Sequence, residues 1–469
     1  MRKHQSEPVV YENVEIIDAG SEGKAVARVG ELVVFVPFVV PGDVADIKIV
    51  RKKKSFREGI AIKFHSYSDK RVKAFCEHFG VCGGCRWQNM NYQTQLFYKQ
   101  KQVEDNFQRI GKFEMPDVLP IIASAKTQYY RNKLEYTFSN KRWLMDGDME
   151  ANPASRNMNA LGFHIPQMFD RVLDINTCFL QSEPSNAIRL SIKAFAEANH
   201  YEFYDVRRWT GFLRNIVIRS SNTGDIMLIL VVNADEPAKI KAVLDHVSDC
   251  FPQITSLMYV VNSKHNDMIS DLPVQLYKGE PFIMETMESL KFKIGPVSFF
   301  QTNSDQAYRL YSCAREFAGL TGNEVVYDLY TGTGTIANFI ASGAKKVVGI
   351  EYVESAIDDA KENSSINGIT NTVFYAGDMV KVLTDDFVKA NGQPDVVITD
   401  PPRAGMHPKV VEQLMAIMPE KIVYVSCNPA TQARDIALMD EKYSVEKIQP
   451  VDMFPHTQHV ENVCLLRRR

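Results

Sequence analysis

The chain has 469 residues, 45% of them hydrophobic and 24% charged, with a net charge of −3. That length accommodates about two to four domains, and no apolar run approaches the roughly 18–20 residues needed to span a bilayer. Eight cysteines are too sparse for a disulfide scaffold, and the opening MRKHQSEPVV has basic residues with no apolar stretch behind them, so no secretory signal is read and a reducing, cytoplasmic compartment is expected.

The total charge excludes a wholly basic nucleic-acid binder, but the distribution is uneven. Residues 1–73 hold 14 Lys and Arg against 10 Asp and Glu, an excess of +4 that leaves −7 for the remainder. Within that part lie five short alternating stretches, VEIID, KAVARV, LVVFVPF, DVADIKIV and EGIAIKFHS, separated by Gly and Pro. They predict a small β-barrel over residues 1–70. The run RKKKSFR (51–57) is a solvated loop or a phosphate-contacting one.

Next comes FCEHFGVCGGCRWQ (75–88), with Cys76, Cys82 and Cys85 in ten positions. Three thiols fall one short of a four-ligand metal site, and His78 lies between them. The following YQTQLFYKQKQVEDNFQRIG places Leu96, Val103, Phe107 and Ile110 at helical spacing and supplies Gly111 as a stop. Residues 115–295 mix strand-like and helix-like segments, with RNIVIRS and DIMLILVVN the clearest strands, and predict an α+β middle segment. There is no internal repeat and no low-complexity segment.

From about residue 322 the rhythm becomes βα. The strand candidates EVVYDLY, KKVVGIEY, TVFYAGD, PDVVITD and KIVYVSC have helix-like segments between them, and VEKIQPVDM and HVENVCLL suggest an antiparallel pair at one edge. This is the pattern of a doubly wound, Rossmann-like parallel sheet. Its first βα junction, YDLYTGTGTIA, carries Gly332 and Gly334, which allow a sharp turn and close approach of a ligand. Ala337 also satisfies a loose dinucleotide fingerprint, and Glu351, the acidic ribose partner, suits either a nicotinamide or an adenosylmethionine ligand. Asp328 precedes the glycines at a spacing that favours adenosylmethionine. TDPPRAG (399–405) and SCNPAT (426–431) open onto the same crevice at the ends of the fourth and fifth strands. A lone cysteine is commonly a small buried hydrophobe, but Cys427 stands where Pro429 must break its strand, facing the crevice.

These residues together resemble the RNA 5-methyluridine methyltransferase family, most closely its 23S rRNA branch. The likeness covers nearly the whole chain, through a barrel similar to the TRAM RNA-binding domain, then CGGCRWQ, FFQTN, DLYTGTG, DPPRAG, SCNPAT and FPHTQHVENV. It departs at Thr331, where members often carry Cys, a change expected to have little effect. The resemblance implies three domains: an RNA-binding TRAM/OB-like barrel (1–70), a central α+β iron–sulfur domain (71–295) and a C-terminal methyltransferase domain (296–469). It implies S-adenosyl-L-methionine as cofactor, with Gln301, Tyr330, Glu351 and Asp400 around it. Asp400 also reads as a helix N-cap, because two prolines follow.

Uracil C5 is a poor nucleophile until a thiolate adds to C6, and Cys427 is the candidate for that addition. The C5 proton must then leave before the thiolate departs, and the resemblance assigns this general-base role to Glu461. It also nominates Cys178 as the fourth partner of Cys76, Cys82 and Cys85 around a 4Fe–4S cluster, with structural zinc as the alternative. Cys250, Cys313 and Cys464 read as structural. Amine methylation is disfavoured because Arg403 stands where such enzymes resemble a DPP-aromatic pattern, and cytosine-C5 methylation because TDPPRAG has no cysteine. The expected substrate is RNA, 23S rRNA before tRNA, with no obligate protein partner. Residues 128–136 and 207–215, both aromatic and basic, are candidate RNA contacts. A non-catalytic RNA-binding protein and a nicotinamide-linked oxidoreductase are the competing readings.

Overall fold

The alternating stretches of the N-terminal part close into a five-stranded barrel in the computed structural model, which describes residues 9–145, 148 and 156–469. The strands are β1 (Val10–Ala19), β2 (Ala25–Val29), β3 (Leu32–Val36), β4 (Val44–Lys52) and β5 (Phe56–Ser66). They are ordered β1-β2-β3-β5-β4, with β3 and β5 parallel. The period of two turns Val14, Ile16, Ala25, Ala27, Val34, Val36, Ile47 and Ile49 inward. Residues 51–55 of the basic run are exposed around the β4–β5 turn. Most of the opening segment in which no secretory signal was read, residues 1–8, lies outside the described residues.

The helix α1 (Tyr92–Asn106) is capped by Asn91, whose Oδ1 accepts from Thr94 N at 2.9 Å. Leu96, Val103 and Phe107 are buried, but Ile110, expected on the same face, is exposed. At Phe107 the helix widens into one π turn and ends at the left-handed Lys112 (φ 56), which rotates Ile110 away.

The middle of the chain builds an eight-stranded sheet from β6 (Lys133–Ser139), β7 (Arg142–Trp143), β8 (Ala160–Ile165), β9 (Met168–Asp174), β10 (Leu213–Ser220), β11 (Ile226–Val232), β12 (Ser256–Val261) and β13 (Gln275–Gly279). Their order is β13-β12-β11-β10-β6-β8-β9-β7. The unbroken apolar run of β11 follows from burial on both faces. Leu228, Leu230 and Val232 pack against α2 (Ser185–Ala198) and α3 (Pro237–Cys250), while Met227, Ile229 and Val231 face α4 (Ser304–Ala318) and the C-terminal core. A hairpin of β14 (Ile283–Met287) and β15 (Leu290–Ile294) lies against α6 (Glu354–Ile366), with Lys293 N donating to Asn363 Oδ1 at 2.7 Å.

The C-terminal sheet contains all seven expected strands: β16 (Val325–Leu329), β17 (Lys346–Glu351), β18 (Thr372–Ala376), β19 (Val396–Thr399), β20 (Lys421–Ser426), β21 (Tyr443–Val451) and β22 (Glu461–Arg468). Their order is β18-β17-β16-β19-β20-β22-β21. The first five are parallel, and β22 runs antiparallel between β20 and the edge strand β21. The order reverses at β16, so β16 and β19 part at the switch point where such sheets hold ligands. The remaining helices are α5 (Thr335–Ile340), α7 (Met379–Val382), α8 (Asp385–Asn391), α9 (Pro408–Ile417) and α10 (Pro429–Met439). Among the described residues no helix is long and apolar enough to cross a membrane.

Candidate active site

At the end of β16 the chain turns through three left-handed residues, Tyr330 (φ 64), Gly332 (φ 55) and Gly334 (φ 73). A Cβ on Gly334 would stand 2.8 Å from that of Ala360, whereas one on Gly332 would meet nothing within 4 Å. The second glycine therefore lets α6 close in and the first leaves space for a ligand. Tyr330 bears the cost of that backbone without a glycine's freedom. Asp328 Oδ2 accepts from Ala337 N at 3.1 Å and from the Thr331 hydroxyl, while its Oδ1 is buried with no partner. Thr331, expected to be a bystander, holds this carboxylate in place. Glu351 ends β17 with Oε2 accepting from Gly332 N at 3.2 Å and Oε1 from the Tyr352 and Val353 amides at 2.8 and 3.0 Å.

Gln301 is buried and stands close enough to Tyr311 to bear on its hydroxyl. That hydroxyl is raised far above the usual tyrosine range by burial, then by Asp400, Asp328 and Glu461. Tyr311 therefore lies among three of the predicted acids, and no motif announced it. Burial, with Asp328 as the second cause, pushes the Asp400 carboxyl up to about 7. Asp328 itself is pushed up to about 7, first by burial and then by Glu351, against the pull of its hydrogen bonds. Asp400 is not a helix cap. The following helix, α9, begins at Pro408 and is capped by His407, so the Asp400 carboxyl is free for the crevice. The unpartnered Asp328 Oδ1 and the space beside Gly332 suit a ligand with a positive end, which would relieve these buried acids.

Cys427 follows β20 directly, before Asn428 caps α10. The Asn428 Nδ2 and Thr431 hydroxyl both donate to Arg403 O, at 3.0 and 3.3 Å, and tie the β19 and β20 ends together. The Arg403 side chain lies near enough to the Cys427 sulfur to favour its ionisation, and donates to His459 Nδ1 at 2.6 Å. Burial, then Glu461 and Asp400, raise the Cys427 thiol to about 11, while Arg403 lowers it. Glu461 opens β22 almost fully buried, and burial followed by Asp400 pushes its carboxyl up to about 8. The structure thus brings Cys427, Glu461 and Asp400 into mutual range and adds Arg403, which the sequence reading used only to exclude other chemistries.

Cys76, Cys82, Cys85 and Cys178 line one cavity of about 340 Å³, otherwise walled by residues such as Phe79, Leu134, Phe163 and Leu180. Burial raises Cys82 to about 11 and Cys85 to about 12. Of the four sulfurs, Cys82 Sγ accepts a hydrogen bond from Gly84 N at 3.4 Å. His78 Nε2 is occupied, accepting from Asn176 N at 3.0 Å, so His78 supports the Cys178 loop. Among the described residues no three His, Cys, Asp or Glu groups gather tightly enough to hold a single metal ion. Four thiols around one cavity supply the soft donors that either an iron–sulfur cluster or zinc takes. All eight cysteines are free.

A second crevice, of about 730 Å³, runs between the barrel, the thiol loop, the central sheet and the active site, with Lys24, Arg86, Trp143, Gln167, Arg403 and His459 in its walls. Of the two aromatic-basic segments, Tyr130, Tyr136 and Phe212 are core residues, whereas Tyr129 and Trp209 are exposed, the latter stacked on His265 at 3.9 Å.

Residues 283–469 match a family model described as tRNA (Uracil-5-)-methyltransferase. An uncharacterized RNA methyltransferase of Bacteroides thetaiotaomicron is 56% identical over 452 residues, 96% of this chain and 100% of that protein. One of Porphyromonas gingivalis is 54% identical over 97% of this chain and 99% of its own. Among solved structures, Pyrococcus abyssi tRNA (uracil-54, C5)-methyltransferase in complex with S-adenosyl-L-homocysteine aligns with a TM-score of 0.74 at 28% identity, covering 97% of this chain and 100% of that one.

Proposed function

Because this chain belongs to the RNA (uracil-5-)-methyltransferase family and is an S-adenosylmethionine-dependent RNA (uracil-C5)-methyltransferase, we propose that it methylates 23S rRNA through a covalent Cys427–C6 adduct resolved by Glu461. Family membership removes the nicotinamide reading of GTGTIA. The observation that carries the mechanism is the convergence of Cys427, Arg403, Asp400 and Glu461 beside the glycine turn.

Asp328, Gln301, Tyr330, Glu351 and Asp400 hold the cofactor, with Glu351 at the ribose and Gly332 and Gly334 shaping the turn beneath it. Bound adenosylmethionine supplies an electrophilic methyl group. The target uridine must leave its stack to reach Cys427, which favours a single-stranded or loop substrate. Arg403 stabilises the thiolate that adds to C6. Once C5 carries the methyl, Glu461 accepts the C5 proton, and the electrons of that C–H bond form the C5–C6 double bond as the C6–S bond breaks. A base near pKa 8 suits a proton transfer at neutral pH.

The barrel (1–70) acts as the TRAM-like RNA grip, residues 71–295 carry the thiol site and residues 296–469 hold the methyl donor, all acting in the cytoplasm. The charged crevice offers the RNA backbone a path between them. The four thiols hold a 4Fe–4S cluster. Protein purified without oxygen should contain iron and acid-labile sulfide in equal amounts and lose both in Cys178→Ser, whereas zinc in their place would refute the cluster.

Mapping 5-methyluridine in 23S rRNA and tRNA from cells with and without the gene tests the target. Loss from 23S rRNA alone is expected, and loss confined to tRNA would reassign the substrate. Cofactor binding should also report on the buried acids. A cationic ligand favours ionised Asp328, whose carboxyl is pushed up to about 7 in the free protein, so affinity is full above that pH and falls as acid protonates it. Calorimetry should show adenosylmethionine affinity dropping by up to about tenfold per pH unit below neutrality for each proton that must leave. A flat profile would remove Asp328 from the pocket.

A further inference from the structure

Glu461 pairs with Val451 at the mouth of the β21–β22 hairpin, so the loop 452–460 sets where its carboxylate stands. A loop of that length is ordinarily a mobile connection. Here successive residues are tied to distant parts of the chain. Tyr92 donates to Asp452 Oδ2 at 2.7 Å, and buried Lys99 pairs with Asp452 and donates to Phe454 O at 2.9 Å. Gln306 donates to Asp452 O at 2.8 Å, Asn303 to Met453 O at 2.9 Å and Tyr130 to Pro455 O at 3.0 Å. Gln95 is fully buried, and its Oε1 accepts from His456 N at 2.8 Å. Its Nε2 donates to Trp87 O and Met90 O at 3.0 and 2.8 Å and lies 3.2 Å from His456 Nδ1. The amides of Arg86 and Trp87, immediately after Cys85, both donate to His456 O, at 2.8 and 3.0 Å.

Tyr92, Gln95 and Lys99 recur at the three- and four-residue spacing of one helix face. A surface helix would bury apolar side chains there. α1 buries an amide and an ammonium instead, an unfavourable choice unless each is satisfied by the loop it contacts. His456 is itself left-handed (φ 64), a conformation the loop maintains only under such restraint. Three residues beyond the last of these anchors, His459 receives the Arg403 hydrogen bond, and two further on stands Glu461.

We infer that α1, through Gln95, Tyr92 and Lys99, is a positioning element for Glu461, and that the Cys85–Trp87 segment shares this role, so the thiol loop and the general base are held by one hydrogen-bonded unit. This rests on the reading of Glu461 as the base. It assigns function to α1 residues that act through the loop rather than on the reacting groups. It also predicts that disturbing them affects the second half of the reaction, proton removal and thiolate departure, more than the first.

The test is a pair of variants, Gln95→Met, which keeps the bulk and removes four polar contacts, and Tyr92→Phe, which removes one hydroxyl. Both are followed with an unmodified 23S rRNA transcript, or a tRNA transcript if that is inert, beside Glu461→Gln. Denaturation-stable protein–RNA adduct is measured through time, with melting temperature and iron content as controls. Adduct should form within about twofold of the parent rate and be released on the order of tenfold more slowly in Gln95→Met, less so in Tyr92→Phe, as expected for a displaced catalytic group. If Gln95→Met does not fold, Tyr92→Phe decides. Formation and release slowing together, or neither slowing, overturns the inference. A stall in Glu461→Gln alone overturns only this inference. Release at the parent rate in Glu461→Gln overturns the base assignment and this inference with it.

Discussion

Cys427→Ala should lose methyl transfer by on the order of 10³-fold or more and form no covalent RNA adduct, while binding S-adenosylhomocysteine as the parent does. The size follows from the chemistry: without addition at C6, C5 has no enolate character with which to attack a methyl sulfonium, and removing a covalent nucleophile leaves only the contribution of binding. The unchanged cofactor affinity follows from the layout, because the sulfur projects from the end of β20 whereas the glycine turn and Glu351 belong to β16 and β17. A thiol raised to about 11 in the free protein needs local help to ionise, and Arg403 is the cation in reach. Arg403→Met should therefore slow adduct formation and shift its pH profile to higher pH. Parent-level turnover in Cys427→Ala, measured as labelled methyl incorporated into RNA, would eliminate the covalent mechanism.

The acids around this sulfur make the free site poorly disposed to a thiolate. Asp328, Asp400 and Glu461 are all pushed up by burial, and Asp400 in turn raises both Cys427 and Glu461. One cationic ligand would relieve the whole set, since ionising Asp328 beside a positive charge is easier than ionising it alone.

How much of this was legible in the sequence depended on distance along the chain. The C-terminal strands could be read because each buried parallel strand is an apolar run ending in a turn motif, and DLYTGTG, TDPPRAG and SCNPAT fall at strand ends that the topology places side by side. The barrel was legible from its alternation. In the central sheet only β10 and β11 were evident: β6, β8, β9 and β13 are interrupted by charged or glycine residues, β7 has two residues, and β12 is a six-residue apolar run that periodicity alone does not assign. Position in sequence could not bring Tyr311 of α4 to Asp400, or Gln95 to His456, since those contacts exist only once the sheet has closed. The buried reading of Ile110 and the helix-cap reading of Asp400 failed for a local reason. A π turn rotated Ile110, and Asp400 precedes a loop where two prolines suggested a helix.

Glu461→Gln should convert the enzyme from one that turns over into one that traps its RNA. The amide keeps the volume and the strand register with Val451 but cannot accept the C5 proton. Cys427, Arg403 and Asp400 remain, so addition to C6 and methylation at C5 proceed and the chain stays bound through the C6–S bond. Loss of a positioned general base costs on the order of 10²- to 10⁴-fold in turnover. The adduct should persist through denaturation and contain methyl transferred from labelled adenosylmethionine, which distinguishes a stall at proton removal from a failure to methylate. The pH dependence separates the two further. In the parent, release should accelerate with rising pH as Glu461, pushed up to about 8, ionises, and in Glu461→Gln this rise should vanish. An unmethylated adduct, or normal release, would move the base elsewhere in the pocket, and Asp400 is the nearest candidate because it alone of the remaining acids bears on both Cys427 and Glu461.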